Sequence, residues 1–330
     1  MMKNIAIVAG GYSSEYEVSL RSAEGIRSFI DGTRYNVFIV IIRKANWVVL
    51  LQDFTTSGEK EIEIDKNDFS FTVGGDKTKF DFAYITIHGT PGEDGLIQGY
   101  FDMLGIPYSS CGVLAGALTF NKFVNNQFLK TQGIKVADSV RIKGMPDNMD
   151  FILDLGLPVF VKPNAGGSSF GVSKVKEASQ LQSAIAKALN ESDEVIIEAF
   201  VKGTEVTCGC YKTCSKEVVF PITEVVTENE FFDYDAKYNG QVQEITPARI
   251  STKLTEWIRS TTANIYDIIG ARGIIRIDYI IPDDGGTPVL LEINTNPGMT
   301  STSFIPQQIK AAGLDIKEVM TNIIENKYAK

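Results

Sequence analysis

The chain has 330 residues, 44% of them apolar and 22% charged, with a net charge of −9 and a single histidine. That length suits two or three domains, and the acidic balance excludes the basic surface by which a protein holds nucleic acid along its length. A few well-placed cations could still hold a small polyanion.

In chain order, Ile5 to Ala9 is a continuous apolar run, as expected of a strand covered on both faces. Gly10-Gly11 turns the chain, and Leu20, Ala23, Ile26 and Ile30 recur at helical spacing. Val37–Ile42 and Ala83–Ile87 are predicted strands and Leu96–Leu104 a helix, a doubly wound α/β pattern. Next come strand Val159–Lys162, a Gly/Ser-rich turn, strand Val172–Val175, a helix through Leu181, Ile185 and Leu189, and strand Val195–Ala199. That order predicts an antiparallel sheet with helix cover, hence α+β. Residues 227–243 are polar and aromatic with little periodicity, the signature of a functional lid or a disordered loop. A helix through Leu254, Ile258, Ile265 and Ile269 and two strands around Asp283-Asp284-Gly285-Gly286 complete the reading. The division expected is 1–112, 113–200 and 201–330. No apolar run approaches the roughly 18 residues that span a bilayer, and Ile5–Ala9 is short for a signal core, so the cytoplasm is the expected location. Cys208, Cys210 and Cys214 lack zinc-site spacing and are expected to be buried strand thiols.

The C-terminal strand pair carries the sharpest chemical signal. Residues two apart share a face, so Arg276 lies with Asp278 and Glu292 with Asn294. One antiparallel register sets Asp278 opposite Glu292 and Arg276 opposite Asn294, leaving Ile275, Ile277, Tyr279, Val289, Leu291 and Ile293 for the core. Carboxylates directly across a sheet repel unless a cation lies between them. Two carboxylates and an amide oxygen form a hard donor set suited to Mg²⁺. The plainer alternative is a solvent face on which Arg276 neutralises both acids; the metal reading is favoured.

Lys162 leads into Asn164–Gly171, where glycines let backbone N–H groups approach an anion and hydroxyls add donors. The lysine precedes the glycines and a strand comes after them, so this is no Walker loop. Lys122 and Lys237 are further candidates for phosphate charge, although each taken singly reads as a surface lysine. Glu15, after the first strand, could hold an ammonium or simply favour a helix dipole, and His88 beside Gly89 could be functional or structural.

These segments stand in the order and spacing of the D-alanine–D-alanine ligases, of the ATP-grasp superfamily, which the chain resembles over nearly its whole length. The motifs are Gly10-Gly11 with Glu15–Ser19, His88-Gly89 with Gly92–Gly95, Val161-Lys162-Pro163 with Gly167–Ser169, Asp233–Tyr238, Arg276–Asp278 and Glu292–Thr300. The resemblance implies an ATP-grasp fold and ATP-dependent formation of D-alanyl-D-alanine through an acyl phosphate, a step in making peptidoglycan precursors. It implies ATP and two Mg²⁺ ions, replaceable by Mn²⁺, as cofactors, D-alanine as partner and a homodimer, with no nucleic acid or membrane. By position, Lys122, Lys162 and Lys237 resemble phosphate contacts, Glu198 and Phe231 the adenine pocket, and Glu205 the ribose contact. Asp278, Glu292 and Asn294 match the metal ligands. Glu15, with Ser168 and Tyr238, resembles the site of the first ammonium, and His88 belongs to the substrate pocket. Arg276 and the Gly298 N–H resemble the oxyanion site, and Ser303 with Phe304 the second carboxylate site. Relatives that make the D-lactate ester carry Phe at Tyr238, so Tyr238 favours an amine. Phe120-Asn121 and Asn296 depart slightly from the family pattern. The rivals are another acid–amine ligase of the superfamily, a catalytically dead nucleotide binder and a dehydrogenase; a dead binder would be expected to have lost a lysine or carboxylate, and the dehydrogenase lacks its glycine fingerprint.

Overall fold

The computed structural model describes residues 2–53, 58–167, 169–227 and 242–326. Its first part comprises β1 (Lys3–Gly10), α1 (Tyr16–Phe29), β2 (Tyr35–Ile42), β3 (Trp47–Asp53), β4 (Gly58–Glu63), β5 (Ser70–Val73), β6 (Asp76–Lys79), β7 (Phe82–Ile85) and α2 (Leu96–Leu104). The sheet order is β4-β3-β2-β1-β7, with β1 parallel to both β2 and β7. Ile5 to Ala9 are fully buried because both faces are covered. Ile5, Ile7 and Ala9 pack with Ala23 and Ile26 of α1, whereas Ala6 and Val8 pack with Ile97 and Phe101 of α2.

The doubly wound centre therefore stands as read, but the sheet is mixed. Strands β3 and β4 extend it antiparallel, and β5–β6 form a separate hairpin. The link from Ile42 to Trp47 is too short for a crossover, so β3 must double back on β2.

The second part contains α3 (Val113–Phe120), α4 (Lys122–Thr131), β8 (Ser139–Lys143), α5 (Asp150–Leu153), β9 (Val159–Pro163), β10 (Ser173–Val175), α6 (Leu181–Leu189) and β11 (Glu194–Ala199). Its antiparallel sheet, ordered β10-β9-β11-β8, buries Val159, Val161, Val195 and Ile197 under Leu181 and Ile185 of α6. This is the helix-covered antiparallel layer that the element order predicts.

The third part contains β12 (Gly203–Lys212), β13 (Glu217–Val219), β14 (Thr223–Thr227), β15 (Val242–Ile245), α7 (Thr252–Ile268), β16 (Ile274–Pro282), β17 (Val289–Asn294), α8 (Phe304–Ala311) and α9 (Ile316–Glu325). The antiparallel sheet runs β15-β14-β12-β16-β17. Cys208 and Cys210 are buried on its α7 side, while Cys214 is exposed beyond the end of β12, contrary to expectation. On the other side, Ile305 and Ile309 of α8 and Met320 and Ile323 of α9 join the core of the first sheet. The N- and C-terminal parts thus share one apolar cluster, which fixes the site between them.

Within that cluster a Cβ placed on Gly25 of α1 would lie 2.2 Å from the Met299 carbonyl oxygen. The contact sets α1 directly against the segment bearing Gly298. Gly25→Ala would ordinarily gain about 1 kcal/mol of helix propensity, yet overpacking here should cost about 1–3 kcal/mol and move two backbone segments apart. A thermal-shift measurement should show a lower midpoint for Gly25→Ala; an unchanged or higher one would contradict this packing.

Candidate active site

The β16–β17 hairpin has the register read from sequence: Asp278 pairs with Glu292 and Arg276 with Asn294. Beyond Asp278 the register shifts at a bulge, so that Tyr279 faces Leu290. Leu290 therefore takes the core position expected of Leu291 and is 2% exposed, while Leu291 turns toward the cleft. A bulge inserts one residue and flips the facing of the residues beyond it, which alternation alone does not reveal.

The two acids are embedded in cations. Arg276 donates from Nε to Asp278 Oδ1 at 2.9 Å and from Nη2 to Oδ2 at 2.7 Å, and its Nη2 lies 3.9 Å from Glu292 Oε1. Asn294 Nδ2 donates to Asp278 Oδ2 at 3.2 Å, and Lys122 Nζ stands 3.8 Å from Glu292 Oε2. Lys122, which singly reads as a surface lysine, points inward because its backbone N–H binds the Asn164 carbonyl and its Nζ the Gly166 carbonyl at 2.7 Å. Among the described residues no group of three or more His, Cys, Asp or Glu side chains could hold a metal ion. Asp278, Glu292 and Asn294 nevertheless form a compact all-oxygen donor set once the amide turns its oxygen inward, and substrate oxygens would have to complete the shell.

Two cavities meet at this hairpin. A larger one of about 570 Å³ opens between the second and third sheets, against Phe160, Lys162, Glu198, Glu205, Asp278 and Leu290. A smaller one of about 230 Å³ lies toward the first sheet, against Glu15, His88, Asn294, Gly298, Ser303 and Phe304. Lys122, Gly166, Gly167, Arg276, Leu291, Glu292 and Phe304 line both.

In the larger cavity Lys162 Nζ pairs with Glu198 Oε2 at 2.6 Å, and Asn126 donates to the other Glu198 oxygen at 3.0 Å. Burial opposes the Lys162 charge, but Glu198 outweighs it and holds the ammonium above its ordinary pKa. Asn164 ties the start of the glycine-rich turn to Asn121 and Glu194.

In the smaller cavity Glu15 is the buried N-cap residue of α1. A Cβ on Gly167 would sit 2.8 Å from Glu15 Oε2, so only glycine lets the turn pass this close. Ser13 Oγ donates to the His88 carbonyl, and Asn296 Nδ2 donates to the carbonyls of Ile87 and Gly92, fastening the 88–95 loop to the third sheet. Burial lowers the His88 pKa despite nearby Glu15, so the imidazole is neutral near pH 7; Ser22 Oγ lies 3.3 Å from its Nε2. Ser303, the N-cap residue of α8, accepts from the Thr300 N–H at 3.1 Å, and a Cβ on Gly298 would lie 3.1 Å from its Oγ. Buried Gln308 anchors α8 by accepting from the Gly209 N–H and donating to Thr207 O and Thr223 Oγ1.

The sequence-predicted residues Glu15, His88, Lys122, Lys162, Glu198, Glu205, Arg276, Asp278, Glu292, Asn294, Gly298, Ser303 and Phe304 thus line the two joined cavities. Ser168, Phe231, Lys237 and Tyr238 lie outside the described residues, as does most of the expected lid. Sequence reasoning missed Arg21, Asn126 and Glu244, whose polar side chains sit in segments without a chemical signature of their own, and gave no separate role to Glu93 and Asn164 within the motifs that contain them. Asn296, read as a variable position, proves to be a fastener.

Helix-covered antiparallel sheets clasping a cleft floored by paired acids and lysines define an ATP-grasp architecture. Family models described as D-ala D-ala ligase N-terminus and C-terminus match residues 4–111 and 128–325. A D-alanine–D-alanine ligase of Parabacteroides distasonis is 66% identical over 99% of this chain and 98% of its own length. Among solved structures, the VanG D-Ala:D-Ser ligase from Enterococcus faecalis superposes with a TM-score of 0.84 at 30% identity, covering 98% of this chain and 99% of that one. The Bacillus anthracis D-alanine–D-alanine ligase complexed with ATP gives 0.76 at 27% identity, covering 98% and 97%. The chain belongs to the D-alanine–D-alanine ligase family.

Glu93 accepts from the Gly89 N–H at 2.8 Å, and burial, with Glu15 nearby, pushes its carboxyl up to about 8. The folded protein keeps this proton to about pH 8, whereas the unfolded chain releases it near the ordinary value of 4.5. Folding therefore takes up a proton between those pH values, and stability falls as pH rises through them. Glu93→Gln keeps an acceptor for Gly89 and should flatten this slope. Urea midpoints at pH 5.5 and pH 8 would show it; an equal pH dependence in both proteins would contradict it.

Proposed function

We propose that this protein joins two molecules of D-alanine into D-alanyl-D-alanine at the expense of ATP, through an acyl phosphate, for peptidoglycan precursor synthesis. The observation that carries the reading is the register of the β16–β17 hairpin, which sets Asp278 opposite Glu292 where the two cavities join. The larger cavity takes ATP, with adenine toward Glu198 and Phe231, ribose toward Glu205, and phosphates toward Lys122, Lys162, Lys237 and the 166–171 turn. Asp278, Glu292 and Asn294 hold two Mg²⁺ ions. When bound, these ions neutralise charge on the transferring phosphoryl group.

The first D-alanine lies in the smaller cavity with its ammonium at Glu15, flanked by His88, Ser168 and Tyr238. That places its carboxylate toward Lys122 and Arg276. Phosphoryl transfer to this carboxylate converts a poor electrophile into an acyl phosphate, and the second amine then displaces phosphate. Arg276 and the Gly298 N–H stabilise the oxyanion of the tetrahedral intermediate, while Ser303 and Phe304 receive the second carboxylate at the N-terminus of α8. Exclusion of water by the 227–243 segment protects the acyl phosphate. Tyr238 selects an amine over a hydroxy acid.

The limits 1–112, 113–200 and 201–330 belong to the same proposal, supported by their falling between the three large sheets. So do a homodimer and a cytoplasmic location. Exposed Leu96, Met103 and Leu114 on α2 and α3 offer an apolar surface for self-association, and no described helix is long and apolar enough to cross a membrane.

Phosphate release with ATP and D-alanine, D-serine, D-lactate or L-amino acids, combined with product mass, tests the assignment. D-alanyl-D-alanine is expected; activity confined to another acid would overturn it. Arg276→Ala should lower kcat by about 10²–10³, the scale of losing one oxyanion donor, and a near-normal kcat would remove Arg276 from that role.

A further inference from the structure

An incoming amino acid is a zwitterion, so its site needs a cationic half for the carboxylate and an anionic half for the ammonium. Under the ligase reading above, on which this inference rests, the N-terminus of α8 supplies the first half for the second D-alanine. No role given so far supplies the second.

Among the described residues, the carboxylates lining the smaller cavity are Glu15, Glu93, Glu244 and Glu292. Glu15 and Glu93 reach it from loops of the first domain, and Glu93 is tied to the Gly89 N–H. Glu292 faces the junction with the larger cavity, beside Asp278. Glu244, on β15, is the one held at the α8 end. Gln307 Nε2 donates both to Glu244 and to the carbonyl of Thr302 at 2.7 Å, so a single amide links this carboxylate to the residue just before Ser303. The neighbouring Gln308 locks α8 to β12 and β14, so the spacing between Glu244 and the α8 N-terminus is fixed by two consecutive glutamines.

We propose that Glu244 binds the ammonium of the second D-alanine and, with Ser303 and the α8 N-terminus, orients that amino acid as it docks, before its nitrogen loses a proton and attacks. Burial raises the Glu244 carboxyl above its ordinary pKa, and Gln307 and Arg276 oppose that rise only in part. An ammonium arriving beside it supplies the missing counter-charge. A carboxylate here also disfavours a hydroxy acid, whose neutral hydroxyl brings no cation to offset the desolvated acid.

Glu244→Gln keeps the size of the side chain and an acceptor for Gln307 but removes the charge. Initial rates over a wide D-alanine range separate the two substrate sites. The variant should raise KM for the second D-alanine about tenfold or more, as expected for loss of a charge-assisted hydrogen bond. KM for ATP and for the first D-alanine should stay within about twofold of wild type, the span ordinary for unrelated contacts. Glu244→Asp, which restores charge on a shorter stem, should recover part of the loss. An unchanged second KM in Glu244→Gln, or equal increases at both sites with no recovery in Glu244→Asp, would overturn the assignment. If the wild-type enzyme makes no D-alanyl-D-alanine, the ligase reading itself fails; if it does and Glu244→Gln matches it, only this inference falls.

Discussion

Asp278 and Glu292 face one another across two adjacent strands, an arrangement that repulsion would disfavour if the strands stood alone. The protein tolerates it by surrounding the pair with Arg276, Lys122 and Asn294, whose polar atoms lie within 4 Å of one or both acids. Breaking such a group by removing one charge leaves the others uncompensated in a poorly solvated place. The rest of the fold serves to keep this hairpin where it is. Its apolar face is buried beneath α7, its polar face floors both cavities, and the bulge after Asp278 releases Leu291 from the core into the junction between them.

Among the described residues, three cations of the site already have an anionic or carbonyl partner. Lys162 lies on Glu198, Lys122 on the Gly166 carbonyl and Arg276 on Asp278. A triphosphate entering the larger cavity would exchange these contacts for its own, so binding is an exchange of partners and does not require rescuing bare charges. The low exposure of Lys162 and Arg276 makes each exchanged contact stronger than it would be in water. Asn164 and Asn296 act on the same geometry from outside it, one holding the glycine-rich turn to α4 and the other holding the 88–95 loop to the third sheet.

Much of this was legible in the residues. The two-residue period of a strand, applied to Arg276, Asp278, Glu292 and Asn294, gives the observed pairing, because the alternate residues Ile277 and Ile293 are apolar and buried together on the opposite face. The bulge was not legible: both Leu290 and Leu291 are apolar, and only packing against α7 chooses between them. The antiparallel strands β3 and β4 escaped a reading tuned to strand–helix alternation. Lys122 looked like a surface residue because nothing local marks the backbone bond to Asn164, some forty positions away, that turns it inward. Glu244 was missed for a similar reason, and Glu93, although inside the Gly92–Gly95 motif, drew no role of its own. A lone acid in a polar loop or at a strand end has no periodic signature, and tertiary packing alone brings it to a cavity.

The central claim is that the acid-bearing hairpin receives a metal–nucleotide complex, and Mn²⁺ binding monitored by electron paramagnetic resonance with and without ADP measures it most directly. With two carboxylates and an amide as the donors among the described residues, Mn²⁺ should bind weakly to the protein alone and tightly once nucleotide oxygens complete its shell, and Glu292→Gln should abolish that gain. Tight Mn²⁺ binding independent of ADP, or an ADP-dependent gain that survives Glu292→Gln, would contradict the account.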